Sequence, residues 1–289
     1  MTDHARRLDA HYDALARARG EPLLRRLRDA FRAAGRDPEC LDPDATAGID
    51  QLHQGGRAAS RALARRGAIA AGQRVLDVGC GTGGASRLLA DEFGAEALGV
   101  DITPAFVDVA EWLSRATGLA DRTRFLCADA ARLPLPSASV EVIWCQHALM
   151  NMPEPTRALA EWHRLLVPGG RLLLHEVVAG DNPAPLALPV PWARSAATSH
   201  LVSGRALEAL LDAAGFAVSS LTDVTEAALA WRRKQGRRAA APRETANAAA
   251  PLPGPALIFG DDFAVMGRNL GDNLADDRVR ILEGAWVRR

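Results

Sequence analysis

The amino-acid sequence predicts an α/β protein built on a parallel sheet, and three observations lead there. From Arg74 onward, short β-branched runs alternate with helical stretches. The first such run drives straight into a cluster of glycines. Acidic residues then recur just past the ends of successive runs. With 289 residues, 48% of them hydrophobic, the chain suits one large α/β domain with an appended cap, or two small domains.

From Asp3 to about Arg66 the pattern is helical, with apolar residues at helical spacing among Arg, Asp and Ala and an interruption at Asp42-Pro43-Asp44. We read residues 1–66 as a helical cap and 67–289 as the catalytic-type domain. Arg74 to Val78 reads as the first strand, followed by the glycine turn and a helix to about Phe93. Glu96 to Val100 is the second strand, and Thr103-Pro104 opens the next helix, since proline suits a first helical position. Thr123 to Cys127 and Val140 to Cys145 are the third and fourth strands. A helix around Pro155 to Leu166 stops at Pro168-Gly169-Gly170, and Arg171 to Val178 is the fifth strand. Residues 179–205, with their proline-rich start, read as an inserted lid ending near a helix at Ser203 to Ala214. A strand near Phe216 to Leu221 follows. Residues 237–255, rich in Ala, Pro and Arg, read as mobile surface chain, and Val279 to Val287 as a closing strand.

Charge and cysteine usage exclude several classes. The 35 Lys+Arg balance the 35 Asp+Glu, which argues against a polyanionic partner, so no nucleic acid is expected. The basic start, with Arg6, Arg7, Arg17, Arg19, Arg25, Arg26 and Arg28, is interspersed with acids and reads as a solvated helix face. The four cysteines, Cys40, Cys80, Cys127 and Cys145, are scattered, so neither a metal site nor a disulfide framework is expected. No apolar run approaches membrane-spanning length and the N-terminus lacks a signal-peptide core, so no membrane association and a cytoplasmic location are the expectations.

The glycine loop runs Val75-Leu76-Asp77-Val78-Gly79-Cys80-Gly81-Thr82-Gly83-Gly84. Glycines let the chain turn tightly and bring backbone against a ligand. Gly79, Gly81 and Gly84 also fit a dinucleotide-binding spacing, with Asp101 near the ribose position, so a hydride-transfer enzyme is the competing reading. Three features weigh against it. Asp77, two residues before the first glycine, would repel a pyrophosphate but suits the ammonium of S-adenosylmethionine. Asp129 follows the third strand, placed to accept from an adenine amine. No second glycine-turn half follows later in the chain.

Asp77 to Gly84, Gly99-Val100-Asp101-Ile102, Ala128-Asp129-Ala130 and Leu166-Val167-Pro168-Gly169-Gly170 resemble, in order and spacing, the motifs of class I S-adenosylmethionine-dependent methyltransferases. The resemblance runs from about Gly55 to Leu221. It implies a Rossmann-like seven-stranded sheet of order 3-2-1-4-5-7-6 with strand seven antiparallel. It also implies S-adenosylmethionine as cofactor and S-adenosylhomocysteine as product. By that resemblance Gly79, Cys80, Gly81 and Gly83 would hold the methionine part, Asp101 the ribose hydroxyls, and Ile102, Asp129 and Ala130 the adenine.

Methyl transfer is an in-line displacement on an activated methyl, so alignment and exclusion of water supply much of the rate, and a base is needed only when the nucleophile must lose a proton. Ligands of open α/β sheets bind at the carboxyl ends of the strands. After strand four, Trp144-Cys145-Gln146-His147-Ala148-Leu149-Met150-Asn151-Met152 resembles the segment that passes beneath the methionine moiety in small-molecule members. Gln146 is the expected cofactor contact. His147 is the catalytic candidate, as base, acceptor-positioning group or second cofactor contact. Gly48 to Gly56 resembles the segment that closes over the cofactor, making His53 a substrate-side candidate. Asn151 and, from the lid, Trp192 and His200 are the remaining ones.

These patterns most resemble the sarcosine/dimethylglycine and quinone-type methyltransferases. They imply N- or C-methylation of a small molecule, with O-methylation close behind. A methyltransferase fold that retains the cofactor and catalyses a cyclisation or rearrangement is the alternative, since fold does not fix function. A nucleic-acid-modifying enzyme is disfavoured by neutral charge and by the absence of an Asn-Pro-Pro-Tyr-type motif after strand four.

Overall fold

A computed structural model describes residues 21–240 and 250–289. The first twenty residues of the expected cap, including Arg6, Arg7, Arg17 and Arg19, lie outside the described residues. So does the centre of the expected surface loop, at 241–249.

The strands are β1 (Arg74–Val78), β2 (Glu96–Asp101), β3 (Thr123–Cys127), β4 (Val140–Gln146), β5 (Leu166–Ala179), β6 (Phe216–Asp223) and β7 (Val279–Arg288). They form one seven-stranded sheet of order β3-β2-β1-β4-β5-β7-β6, as the resemblance implies, with β7 antiparallel to both neighbours. β5 begins earlier than expected: Leu166 is already extended and pairs with Val140, so the Pro168-Gly169-Gly170 turn belongs to the strand.

Helices cover both faces. α1 (Leu23–Ala33) and α2 (Gly56–Arg66) precede the sheet. α3 (Gly84–Phe93), α4 (Pro104–Ala116), α5 (Pro155–Leu165) and α6 (Gly204–Ala213) are its crossovers. Leu23, Leu27 and Phe31 fall on one stripe of α1 and are fully buried, because i, i+4 and i+8 share a helix face. Phe31 meets Trp112 of α4 edge-on with centroids 5.9 Å apart, and the Trp112 indole donates to Pro38 O at 2.8 Å. The cap therefore has its own small core against α4, joined by Ile258, Phe259 and Met266 from far downstream.

The downstream residues were not anticipated. Between β6 and β7 the chain forms α7 (Thr225–Ala240) and α8 (Phe263–Ala275), so residues 237–240 continue a helix where mobile chain was expected. The roof over the sheet's carboxyl edge thus has two insertions, the lid after β5 and this helical pair. Asn273, fully buried on α8, joins them: it donates to Ala187 O at 3.0 Å and accepts from Ala187 N at 2.9 Å. Asn269 adds a bond to Pro189 O.

Asn273→Ala should leave the N–H and C=O of half-buried Ala187 without these partners and cost about 1 kcal/mol of stability. Urea unfolding of the variant against wild type measures it; a midpoint unchanged at equal slope would mean that Asn273 does not hold the lid.

Candidate active site

Strand register brings the site together. Val78 stands opposite Val100 and Cys145, Asp101 opposite Cys127, and Gln146 opposite His175, so the ends of four neighbouring strands and of β5's central stretch share one edge. Asp77 is the penultimate residue of β1 and Asp101 the last of β2, Asp129 follows β3, and Gln146 ends β4 with His147 directly after it. A cleft opens above them with about 1310 Å³ of empty space, part of it open to solvent.

The glycine loop is left-handed at Gly79, Gly81 and Gly83, with φ of +69°, +52° and +77°. Gly79 and Cys80 N–H both donate to Val100 O, tying the loop to β2. A Cβ at Gly79 would come 2.5 Å from that of Ala148, so only glycine lets β4's exit loop lie this close. Gly79, Cys80 and Gly81 line the cleft. Gly83 does not; it sits behind the loop, where a Cβ would meet the Phe125 ring at 2.6 Å, so its place is in packing rather than in ligand contact.

Asp77 is buried and accepts from Ser86 Oγ at 2.6 Å. Burial pushes its carboxyl up to about 6, against the lowering effect of Ser86. Asp101 is likewise raised by burial. Its Oδ2 accepts Gly81 N–H and its Oδ1 accepts Thr103 N–H, both at 2.9 Å. Each oxygen keeps a lone pair for a ribose hydroxyl. Ile102, Asp129 and Ala130 line the cleft beside it.

The segment 49–54 closes over the loop from the cap side. Thr82 Oγ1 donates to Ile49 O at 2.7 Å, and Asp50 is buried against the guanidinium of Arg87, with Arg57 Nη2 3.1 Å from its other oxygen. Next to it lies a buried polar chain. His53 is held neutral, its pKa lowered to about 4 chiefly by burial. Its Nδ1–H donates to Gln54 O at 3.0 Å, which makes Nε2 an acceptor. Gln51 Oε1 lies 2.8 Å from that nitrogen and 2.6 Å from Ser60 Oγ, and Ser60 Oγ is itself 3.0 Å from the ring nitrogen. Ser60 Oγ donates in turn to Gln146 Oε1 at 3.1 Å, as does the Trp144 indole at 3.0 Å. The buried Gln146 Nε2 has no protein partner, which leaves a donor for a ligand on the methionine side of the cleft.

His147 is at φ +51°, a left-handed conformation costing a non-glycine residue roughly 1–2 kcal/mol. Its ring stacks on His175 at 5.1 Å and meets His53 edge-on at 5.9 Å. Burial first, then His175 and His53, hold its pKa well below the usual imidazole range. It lines the cleft, and its buried Nε2 has no hydrogen-bond partner in the protein. Among the described residues no group of three His, Cys, Asp or Glu is placed to hold a metal.

Other expected contacts are distributed differently. Trp192 lines the cleft with its Nε1–H on Ser199 Oγ at 3.0 Å. Asn151 also lines it, but its amide donates to Trp192 O and Thr198 O, so it anchors the lid. His200 is not among the cleft residues; its backbone N–H donates to Met150 O at 2.8 Å, fastening the lid's far end. Phe259 and Leu270 complete the roof and were not singled out by the sequence, because an apolar residue at helical spacing carries no mark of a cleft.

Comparison with known proteins bears on these residues. Residues 76–174 match a family model described as a methyltransferase domain. The chain is 35% identical over 196 residues to Methyltransferase GfsG of Streptomyces halstedii, covering 66% of each protein. Over residues 76–174 the chain is a methyltransferase domain of the class I S-adenosylmethionine-dependent kind. It spans just under two thirds of that relative's length and less than a third of two others. The structure of the [4+2]-cyclase SpnF is similar at TM-score 0.66 and 25% identity, over 97% of this chain and 96% of that one. A geranyl diphosphate C-methyltransferase from Streptomyces coelicolor A3(2), in complex with geranyl diphosphate and S-adenosylhomocysteine, shares the fold at TM-score 0.63 and 16% identity, covering 81% and 79%. S-adenosylmethionine is the cofactor, and the buried Asp77, the glycine loop, Asp101 and the unpartnered Gln146 amide fit its ammonium, methionine and ribose parts.

Two outcomes follow. Asp77 must be ionised to pair with the cofactor's ammonium, and its raised pKa keeps it protonated below about 6. Affinity for S-adenosylmethionine should therefore rise between pH 5 and 7, with proton release on binding, and Asp77→Asn should flatten the rise; calorimetry in buffers of different ionisation heat reads both. Asp101→Ala should weaken binding by on the order of 2 kcal/mol through lost charge-assisted bonds, and wild-type affinity would remove Asp101 from the cofactor site.

Proposed function

We propose that the protein transfers a methyl group to a hydroxyl of a small, uncharged, largely apolar molecule. The observation that carries this reading is His147: a neutral imidazole at the end of β4, lining the cofactor's cleft, with its Nε2 unpartnered. When bound, S-adenosylmethionine supplies a methyl on a positively charged sulfur, ready for any aligned nucleophile. His147 holds the acceptor hydroxyl and takes its proton as the oxygen gains the methyl, leaving an ether and S-adenosylhomocysteine. An N- or C-nucleophile, placed first on sequence alone, gains less from such a group unless it too must shed a proton.

The walls speak for the acceptor's class. The charged residues lining the cleft are Asp50, Asp77, Asp101 and Asp129, and among the described residues none of the lining is Lys or Arg. Asp50 is neutralised by Arg87 and Arg57, and the other three face the cofactor's side. The apolar lining of the cleft includes Met150, Met152, Trp192, Phe259 and Leu270. A phosphate or carboxylate would be stripped of water there without a counter-charge, unlike the diphosphate carried by the Streptomyces coelicolor enzyme's ligand.

A second reading has a specific observation behind it: the likeness to a cyclase, at 25% identity over nearly the whole chain. In that reading the apolar roof folds a flexible acceptor and the cofactor stays intact.

The test follows S-adenosylhomocysteine release against apolar alcohols and phenols, with phosphorylated, carboxylated and amine acceptors as comparators. Release dependent on a neutral hydroxyl compound supports the proposal, and release only with amines or anionic acceptors overturns it. An acceptor converted without release would move the assignment to cyclisation. His147→Ala should lower turnover on the order of 100-fold with cofactor affinity unchanged. Because the His147 pKa is depressed, its base form persists, so the wild-type rate should not fall merely because pH drops through the ordinary imidazole range.

A further inference from the structure

Glu176 of β5 is buried and has no part in the chemistry above. Its Oε2 accepts the N–H of Ala148 at 3.1 Å and of Leu149 at 2.7 Å, and its Oε1 accepts Val177 N–H at 2.9 Å. These donors are backbone groups, and the first two directly follow His147. On the other side of the same residue, His147 N–H donates to His175 O at 2.9 Å. The left-handed His147 is thus flanked by two fixings, both from β5 and both to backbone. Ala148 is also the residue that rests on Gly79 of the glycine loop.

We propose that Glu176 is a positioning residue for His147: its carboxylate clamps the 148–149 backbone and thereby keeps the His147 ring in the cleft in its left-handed setting. Burial pushes the Glu176 carboxyl up to about 7 while the N–H groups of Leu149, Val177 and Ala148 favour its charged form, and two of those donors are the ones whose placement matters. A neutral apolar residue could fill the space beneath the loop but could not hold two N–H groups. The clamp acts on geometry, so it governs turnover rather than cofactor binding. The proposal rests on the reading of His147 as the acceptor-side base only for its kinetic consequence; the positioning itself has an independent readout.

Glu176→Gln keeps the shape and loses the charge and one acceptor oxygen. With histidine-selective 15N labelling, the His147 imidazole signals, identified by their loss in His147→Ala, should shift or broaden in Glu176→Gln. Affinity for S-adenosylmethionine should stay within about twofold of wild type, and turnover should fall about tenfold, the scale of one charge-assisted bond. Glu176→Asp, which keeps the charge but draws it back, should fall between. In the His147→Ala background the same Glu176→Gln change should cost less than about twofold, since the residue it positions is gone. Unmoved His147 signals in a folded Glu176→Gln protein would overturn the proposal. So would an equal turnover loss in both backgrounds, which marks a general structural role. If His147→Ala itself turned over like wild type, the base reading would fail, while the imidazole signals would still decide the positioning.

Discussion

The site depends on where the strands end. Parallel pairing in register carries β1, β2, β3 and β4 to a common edge, and the first residues past that edge are the ones that have business with a ligand. Asp77 and Glu176 are buried at or beside this edge and Asp101 is half-buried there, which is costly unless each finds donors. Asp77 takes a hydroxyl from Ser86, Asp101 takes N–H groups of Gly81 and Thr103, and Glu176 takes those of Ala148 and Leu149. The last two solutions recruit loop backbone, so satisfying the charge and shaping the loop are one event. A carboxylate of this kind organises its surroundings whether or not it touches a ligand.

The cofactor half was legible because its signals are local. A glycine with positive φ, an acid at a strand end and a proline at a helix start each mark themselves within a few residues. Gly83 was placed with the ligand contacts because spacing alone cannot separate a glycine that faces a ligand from one that faces Phe125. The acceptor half was legible only in part. His147 and Trp192 stand out as residue types, whereas Phe259 and Leu270 lie more than a hundred residues from β4 and look like any core positions. His200 was placed by residue type, and its backbone does the fastening instead. Glu176 was visible beside His175, yet its partners lie 27 and 28 residues away, a distance that no local pattern reports.

The roof's construction separates the two halves mechanically. Segment 49–54 is seated on the glycine loop by Thr82 and by the Arg87–Asp50 pair, so it belongs with the cofactor. The lid is fastened instead to the exit loop of β4, through Asn151 and Met150 O, and to α8 through Asn273. Changes in lid or α8 can therefore reshape the acceptor end without loosening the loop that holds the cofactor.

Charge in the cleft lining is of one sign. The charged residues of the lining are all carboxylates, while His147, His175 and His53 are held neutral chiefly by burial, and Met150, Trp192 and Leu270 add apolar lining. In the transfer proposed, positive charge on sulfur disappears as the methyl leaves. A protein that stabilised that charge strongly at the reacting atoms would favour the starting state over the transition state. An apolar, uncharged acceptor end avoids this, and the neutral imidazole offers a lone pair for the departing proton without placing a second cation beside the sulfonium. The cation that His147 becomes on taking the proton forms only as the sulfur's charge is lost, so the cleft carries one positive charge there throughout. Depressing the His147 pKa thus serves the ground state, keeping the ring unprotonated until the methyl moves.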